Sequence, residues 1–334
     1  MRAIVLDGHG GREVLALREV DAPEPGPEDV LVDVHHGALN RADVAQRAGG
    51  YPDPRRTPGD TSPEIPGMEY AGRVAAVGSR VTDWAVGDAV MGIEAGGCYA
   101  EQVVSHQRLV LPIPEGLAFA DAAAVPEVFI TAWDALVVQG GLTSGRWALV
   151  HAGASGVGTA AIQIAKAVGA RVAVTCSAGK VPACRDLGAD LVLERSPADW
   201  PAALDAGLRA AGRTVGVDVI LDVVGGDEVE RNLRAVRPKG TIVQVGLMGG
   251  GTAEVNVGLL LVKRARWIGT TLRGRPLEEK ASICRRFAEE VLPLFTSGQL
   301  RPVVDTRFRL DQVAAAHERM EADANVGKIL LDMR

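Results

Sequence analysis

The sequence predicts an α/β protein that begins with a β-rich domain and continues into a doubly wound parallel sheet. Its 334 residues are enough for about two domains. The first third contains short β-branched runs separated by turn clusters, which is typical of strands. From about residue 140, apolar strands alternate with amphipathic helices, the pattern of parallel βαβ units.

The composition excludes several classes of protein. Hydrophobic residues make up 47% and charged residues 23% of the chain, so a disordered or fibrous protein is excluded. The net charge of -6 and the pI of about 5.6 argue against a nucleic-acid binder. No apolar run reaches the roughly 18 residues of a membrane helix, and Asp7 comes too early for a signal peptide. Four cysteines without CxxC spacing indicate reduced thiols and a cytoplasmic protein.

In the β-rich part, the predicted strands are 2–7, 30–34 and 74–77. The segment 51–66 carries prolines at 52, 54, 58, 63 and 66, which excludes a helix or a central strand. We expect a long loop there, either a functional one or a plain surface excursion.

The alternating part begins after an Ala-rich helical stretch at 119–139. The predicted strands are 146–151, 171–175, 190–193, 217–224, 241–245 and 267–272. The predicted helices are 158–168, 181–187, 198–211, 229–236 and 277–296. The tail reads as strand 303–308, helix 313–321 and strand 328–332, which breaks the alternation and is expected to return to the first domain.

A glycine-rich turn lies between the first alternating strand and its helix. It contains Gly153, Ser155, Gly156, Val157 and Gly158, with serine at the second glycine position of G-x-G-x-x-G. Glycines there permit a tight turn and bring backbone N–H groups to a pyrophosphate. A hydrolase elbow, G-x-S-x-G, is excluded because Val157 replaces its last glycine. The motif in its βαβ context predicts a Rossmann dinucleotide-binding domain.

The end of the next strand indicates which dinucleotide is bound. An NAD site places a carboxylate about 20 residues past the first glycine, for the ribose hydroxyls. Residues 174–180 contain no carboxylate, but they contain Ser177 and Lys180, which suit a 2′-phosphate. Arg195 follows the next strand and could pair with the phosphate or stack on adenine. The sequence therefore predicts NADPH over NADH, although Lys180 could also be an ordinary solvated lysine.

Several further segments carry a family resemblance. The stretches 67–72, 77–78 and 86–90, with the glycine turn, resemble the medium-chain dehydrogenase/reductase superfamily. Segments 38–43, 151–163, 246–251 and 325–329 are similar to its zinc-free quinone oxidoreductases. The resemblance implies a GroES-like catalytic domain (1–122 and 300–334), a Rossmann NADP-binding domain (123–299) and an active cleft between them. It also implies a homodimer formed through the cofactor domains.

Zinc-dependent members of this superfamily carry a cysteine ligand shortly before an aspartate and a histidine in Gly-His-Glu. Here segment 37–43 contains no cysteine, and Met68 replaces the histidine. The four-cysteine structural zinc lobe is also missing. A catalytic zinc needs three converging protein ligands, so we expect no metal.

The resemblance implies roles for individual residues. Asn40 would lie near the nicotinamide and donate to a substrate carbonyl, or it caps a helix beginning at Arg41. Tyr51 would line the substrate pocket and bond a quinone oxygen, or it is an ordinary loop tyrosine. The further cofactor-binding residues would be Thr131, Val224, Gly246, Leu247, Met248, Thr271, Leu272, Arg273 and Lys328. Buried backbone turns would explain the glycines among these segments equally well.

Three functions follow from these observations. The first is an NADPH-dependent reductase of quinones or similar conjugated carbonyls, which transfers a hydride or single electrons. The second is a carbon–carbon double-bond reductase of enones, 2-alkenals or enoyl thioesters; a thioester would favour a basic rim from Arg41, Arg47, Arg55 and Arg56. The third is a non-catalytic NADPH-binding protein, which the pocket loop with Tyr51 argues against.

Overall fold

A computed structural model describes residues 1–57, 59–195 and 200–333. The strands, in chain order, are β1 (Arg2–Leu6), β2 (Leu15–Glu19), β3 (Asp29–Ala38), β4 (Glu69–Val77), β5 (Ala89–Ile93), β6 (Gln102–His106), β7 (Val110–Pro112), β8 (Trp147–Val150), β9 (Arg171–Cys176), β10 (Leu191–Glu194), β11 (Val217–Asp222), β12 (Val236–Gln244), β13 (Arg266–Gly269), β14 (Val304–Arg309) and β15 (Lys328–Asp332).

The α-helices complete the set of elements. They are α1 (Arg41–Arg47), α2 (Phe119–Ala122), α3 (Pro126–Trp133), α4 (Gly156–Ala167), α5 (Val181–Asp186), α6 (Trp200–Ala210), α7 (Glu228–Ala235), α8 (Val257–Lys263), α9 (Leu277–Glu290), α10 (Leu292–Thr296) and α11 (Val313–Glu321). No helix in the described ranges is long and apolar enough to cross a bilayer.

The chain forms two compact units. The first contains residues 1–130 and 272–334, and the second contains residues 131–271. The domain boundaries that the resemblance implies, 122/123 and 299/300, stay a prediction and do not coincide with the limits of these units. Helix α9 belongs to the first unit because it packs against β7 and the 3₁₀ turn at Gln107–Leu109.

The first unit is built on a seven-stranded sheet in the order β14-β15-β3-β4-β5-β7, with β6 paired to β3. Strand β15 runs antiparallel to β3 and parallel to β14. Val30, Val32 and Val34 alternate along β3 and are fully buried in the core, as the period of two requires. The C-terminal tail is therefore part of the sheet that the N-terminal segment begins.

The second unit contains a six-stranded sheet in the order β10-β9-β8-β11-β12-β13. All of its pairings are parallel, and a helix connects each strand to the next from β8 to β13. This confirms the predicted α/β class with a doubly wound sheet. The strand order reverses between β8 and β11, and in such sheets ligands bind beyond the carboxyl ends of the strands at this point.

Several elements differ from the prediction. The helical stretch 119–139 is divided into α2, α3 and a π-helical turn at Asp134–Gln139, with Pro126 opening α3. The helix expected over 277–296 is two helices, α9 and α10, separated at Val291. Helix α8 was not predicted. The expected start of α6 at 198 lies outside the described residues. The described part of 51–66 contains no helix or strand, as its prolines require.

Candidate active site

The glycine turn after β8 has the close backbone approach that a dinucleotide site needs. A Cβ on Gly153 would lie 2.6 Å from the Cβ of Val174, so a side chain there would collide with β9. A Cβ on Gly158 would lie 2.3 Å from the carbonyl oxygen of Ala152. Ala152 has a φ of 54°, so the turn uses left-handed backbone. Both glycines are therefore required by packing at this turn.

The first turn of α4 presents backbone donors. Ser155 is its N-cap, and the Ser155 Oγ accepts from the Gly158 N–H at 3.0 Å. The N–H groups of Gly156 and Val157 have no hydrogen-bond acceptor within the described part of the chain, and both residues are partly exposed. Two unpaired N–H groups at the positive end of a 12-residue helix suit a pyrophosphate. The turn thus fits the dinucleotide that the sequence predicts.

A buried chain of polar side chains joins the two strands on either side of the switch point. His151, directly after β8, contacts the Thr175 hydroxyl at 2.9 Å and the Asn232 Oδ1 at 2.7 Å. Asn232 donates to Asp222 at 2.8 Å, and Asp222 accepts from the Val224 and Gly225 N–H groups at 2.6 and 3.0 Å. This chain holds the turns after β8 and β11 in fixed positions.

The residues predicted to hold the 2′-phosphate lie at the same sheet edge. Ser177 is exposed directly after β9, and Lys180 is half-buried at the end of the next 3₁₀ turn. Arg195 is exposed after β10, and its N–H donates to the Cys176 carbonyl at 2.8 Å. This hydrogen bond places the Arg195 backbone beside the end of β9.

Four of the remaining predicted residues of this unit, Val224, Gly246, Leu247 and Met248, follow the ends of β11 and β12. Val224 accepts from the Gly249 N–H at 2.7 Å, and a Cβ on Gly246 would lie 2.9 Å from the Val223 carbonyl oxygen. Leu247 and Met248 are exposed apolar side chains, suited to packing against a flat ring. Thr131 is buried in α3, whereas Thr271 is exposed after β13.

In the first unit, Asn40 is part of a buried charged triangle. Its Nδ2 donates to the Glu69 Oε1 at 2.9 Å, and its Oδ1 accepts from the Lys328 Nζ at 2.7 Å. The Lys328 Nζ also lies 2.6 Å from the Glu69 Oε1. All three side chains are buried, and opposite charges compensate each other. Asn40 is also the residue before α1, where its backbone N–H donates to the Asp43 carboxylate.

Leu272 and Arg273, for which the resemblance implies cofactor binding, belong to the first unit. Arg273 is buried and donates to the Ala95 carbonyl at 2.6 Å, the Tyr51 carbonyl at 3.0 Å and the Gln46 Oε1 at 2.7 Å. Its guanidinium lies 4.9 Å from the centre of the Tyr51 ring. Arg273 therefore holds the start of the proline-rich loop.

Asp43, in the first turn of α1 after Asn40, is completely buried. Its Oδ2 accepts from the Asn40 N–H and from the Tyr99 hydroxyl, both at 2.8 Å. Its Oδ1 has no partner among the described atoms. Burial raises the pKa of Asp43 to about 6, and the hydrogen bonds only partly offset this effect.

The expectation that the protein holds no catalytic zinc concerns Met68, the residue before Glu69. Met68 is buried and supplies no nitrogen or charged oxygen ligand. Within residues 1–57, 59–195 and 200–333, no three His, Cys, Asp or Glu side chains are arranged to hold a metal ion.

Sequence reasoning did not assign the residues that support this site. Glu69, Tyr99 and the His151–Asn232–Asp222 chain have partners between 10 and 81 residues away along the sequence. One sequence signal could have indicated Glu69: it is the third residue of Gly67-Met68-Glu69, which corresponds to the Gly-His-Glu of zinc-dependent relatives. The sequence comparison there concerned only Met68, in place of the histidine.

The sheet, the switch point and the glycine turn define a Rossmann dinucleotide-binding fold, and comparisons with known proteins agree. Two family models match: "Alcohol dehydrogenase GroES-like domain" at residues 26–115 and "Zinc-binding dehydrogenase" at residues 156–289. The rat synaptic vesicle membrane protein VAT-1 homolog is 30% identical over 99% of this chain and 84% of its own length.

Two solved structures show the same fold. The quinone oxidoreductase of Pseudomonas syringae has a TM-score of 0.88 and 29% identity, with 99% of each chain covered. The CurK enoyl reductase has a TM-score of 0.87 and 26% identity, with 100% of this chain and 99% of that chain covered. The protein belongs to the medium-chain dehydrogenase/reductase family and is an oxidoreductase.

The raised pKa of Asp43 predicts a pH dependence of stability. Between about pH 4 and pH 6 the folded protein keeps the Asp43 proton, while the unfolded chain loses it. Wild-type stability from this group therefore falls as pH rises, by about 1.4 kcal/mol per unit or about 3 kcal/mol in all. Asp43→Asn lacks this loss, so its free energy of unfolding should gain about 3 kcal/mol relative to wild type over that window.

Urea unfolding at pH 4, 5, 6 and 7 measures this difference. Asp83→Asn, which removes an exposed carboxyl, is the control. A difference between Asp43→Asn and wild type that stays constant with pH would show that Asp43 ionises freely in the folded protein.

Proposed function

We propose that the protein is an NADPH-dependent, zinc-independent reductase of quinones or similar conjugated carbonyls. The observation that carries this proposal is the Asn40 amide, held between Lys328 and Glu69 in the segment where zinc-dependent relatives place a cysteine ligand. An amide there offers a neutral hydrogen-bond donor to a carbonyl oxygen in place of a metal. The likeness to quinone oxidoreductases supports the same substrate class.

The reduced nicotinamide, when bound, supplies the hydride. Asn40 donates an N–H to the substrate carbonyl oxygen and stabilises the negative charge that develops there. The Tyr51 hydroxyl is the second proposed donor, and Arg273 fixes its position through the Tyr51 carbonyl and ring. Both donors belong to the first unit, while the glycine turn of the second binds the pyrophosphate.

An acceptor panel tests the proposed reaction. We expect NADPH oxidation with 1,4-benzoquinone and 9,10-phenanthrenequinone, slower oxidation with NADH, and no loss of rate in EDTA. The measurement is the absorbance of NADPH with time. Loss of activity in EDTA would contradict the zinc-independent reaction. Faster turnover of a 2-alkenal or of crotonyl-CoA than of either quinone would contradict the proposed substrate class.

The cofactor preference has its own test. Ser177→Ala and Lys180→Ala should each weaken NADPH binding about 10-fold or more, because each removes a hydrogen bond to a charged phosphate. NADH binding should be unchanged. Fluorescence titration of each dinucleotide measures the Kd, with the exposed Ser79→Ala and Lys239→Ala as matched controls. Equal losses for both dinucleotides would place the 2′-phosphate elsewhere.

A carbon–carbon double-bond reductase is the second candidate, and the likeness to the CurK enoyl reductase favours it. A thioester carrier would favour an uncompensated basic rim. The four arginines considered for that rim each lie beside a carboxylate: Arg41 at Asp323, Arg47 at Glu321, Arg55 at Asp53, and Arg56 at Asp60 and Glu64. The pairing reduces their attraction for a phosphorylated carrier, so we favour quinones.

An exposed apolar surface supports a homodimer formed through the second unit. Val257, Leu261 and Val262 of α8 are 67–74% exposed, and Trp267 is 43% exposed on β13, the last strand of its sheet. An open strand edge beside apolar side chains is an expected place for a second copy to pair.

The four buried free cysteines support a cytoplasmic location, where thiols stay reduced.

The dimer predicts a specific effect of charge on this surface. Light scattering after gel filtration should give twice 35.0 kDa for the wild type. Leu261→Asp with Val262→Asp should give the monomer mass, because two carboxylates would have to be buried. Leu17→Asp, at an exposed leucine of the first unit, is the control. A wild-type monomer would exclude the dimer.

A further inference from the structure

Lys328 uses all of its hydrogen-bond donors inside the first unit. A lysine ammonium has three N–H groups. Those of Lys328 point to the Leu39 carbonyl at 2.5 Å, the Asn40 Oδ1 at 2.7 Å and the Glu69 Oε1 at 2.6 Å. The side chain is 3% exposed. This ammonium therefore has no N–H left for a dinucleotide, to which the sequence analysis assigned it.

The same contacts determine which way the Asn40 amide faces. Its oxygen meets the Lys328 ammonium, and its nitrogen meets the Glu69 carboxylate. A flipped amide would place N–H against the ammonium and oxygen against the carboxylate, which are two repulsive contacts. Glu69 is itself fixed, because its Oε2 accepts from the Glu127 N–H at 2.9 Å. The charges of Lys328 and Glu69 together permit one orientation.

This orientation leaves one donor available. The Asn40 amide nitrogen carries two hydrogens, and the structure gives it one acceptor among the described residues. The second hydrogen remains for a ligand. A cation on the amide oxygen also withdraws electron density from the nitrogen, which strengthens the remaining N–H as a donor.

We propose that Lys328 is a positioning residue, which orients and polarises the Asn40 amide so that its second N–H meets the substrate carbonyl oxygen. The chemical consequence rests on the proposed reductase function. The orientation of Asn40 itself does not depend on that function and can be tested without turnover.

The first test observes the amide directly. Asn40, Asn232, Asn256 and Asn325 are the chain's four asparagines, so protein labelled with ¹⁵N-asparagine gives four side-chain NH₂ pairs. Asn40→Ala assigns one pair. In Lys328→Met we expect the Asn40 pair to shift towards the position of a solvent-exposed asparagine. The pair of Asn325, whose Nδ2 donates to the Gly327 carbonyl, reports that the first unit stays folded, and the pairs of Asn232 and Asn256 report on the second unit.

Lys328→Met leaves the Glu69 charge buried without an opposite charge and is expected to be destabilised. Lys328→Met with Glu69→Gln is neutral and serves as the second variant. Lys239→Met, at an exposed lysine, is the matched control. An Asn40 pair that stays in place in both Lys328 variants would overturn the proposal.

The second test is kinetic and distinguishes positioning from cofactor binding. We expect Asn40→Ala to lower kcat on the order of 100-fold, and Lys328→Met to lower it about 10-fold with the Kd for NADPH unchanged. The variant that combines Asn40→Ala with Lys328→Met should be no slower than Asn40→Ala alone, since Lys328 acts through Asn40. Lys328→Arg should recover part of the rate.

Two outcomes separate this proposal from the proposed function. Additive losses of kcat, or a weaker NADPH Kd in Lys328→Met, would overturn the positioning role while the reductase function stands. A wild type that reduces no acceptor would overturn the reductase function, and the shift of the Asn40 pair would then decide the orientation alone.

Discussion

A buried ion pair between Lys328 and Glu69 is the constraint on which the first unit depends. Both side chains are at most 3% exposed, and a buried charge without a partner would cost several kcal/mol. The first residues of β4 and β15 must therefore meet, together with the residue before α1. Gly327 makes this possible, because it has a φ of 79° and a Cβ there would lie 2.2 Å from the Val303 carbonyl oxygen.

The proposed dinucleotide site of the second unit consists mainly of backbone groups. Gly153 and Gly158 allow a turn that no side chain would fit, and the N–H groups of Gly156 and Val157 beside it have no acceptor among the described residues. Side chains act behind this surface: the chain from His151 to Asp222 holds the turns after β8 and β11. The proposed dinucleotide would thus meet mainly peptide groups at this turn.

The two units contribute different chemistry. The second offers oriented dipoles for a dinucleotide, while the first offers a neutral amide between compensated charges. Asp43, whose pKa burial raises to about 6, accepts a hydrogen bond from the backbone N–H of Asn40. A metal-dependent relative would use ligands at this place to polarise a carbonyl, and here a hydrogen-bond donor takes that proposed role. The family is therefore shown by the fold and the comparisons, whereas the proposed substrate class rests on a few side chains of the first unit.

The sequence by itself determined the elements whose signals are local. Apolar runs predict strands β8 to β11, and the clustered glycines predict the tight turn after β8. The ends of these strands in the structure lie within one or two residues of the prediction. The partners of Lys328 and Arg273 were decided by the tertiary structure. Lys328 meets Asn40 across 288 residues, and Arg273 meets Gln46 across 227. The reason is physical: such contacts depend on how β15 lies between β14 and β3 and on which unit residues 272 and 273 join, and no local pattern encodes either.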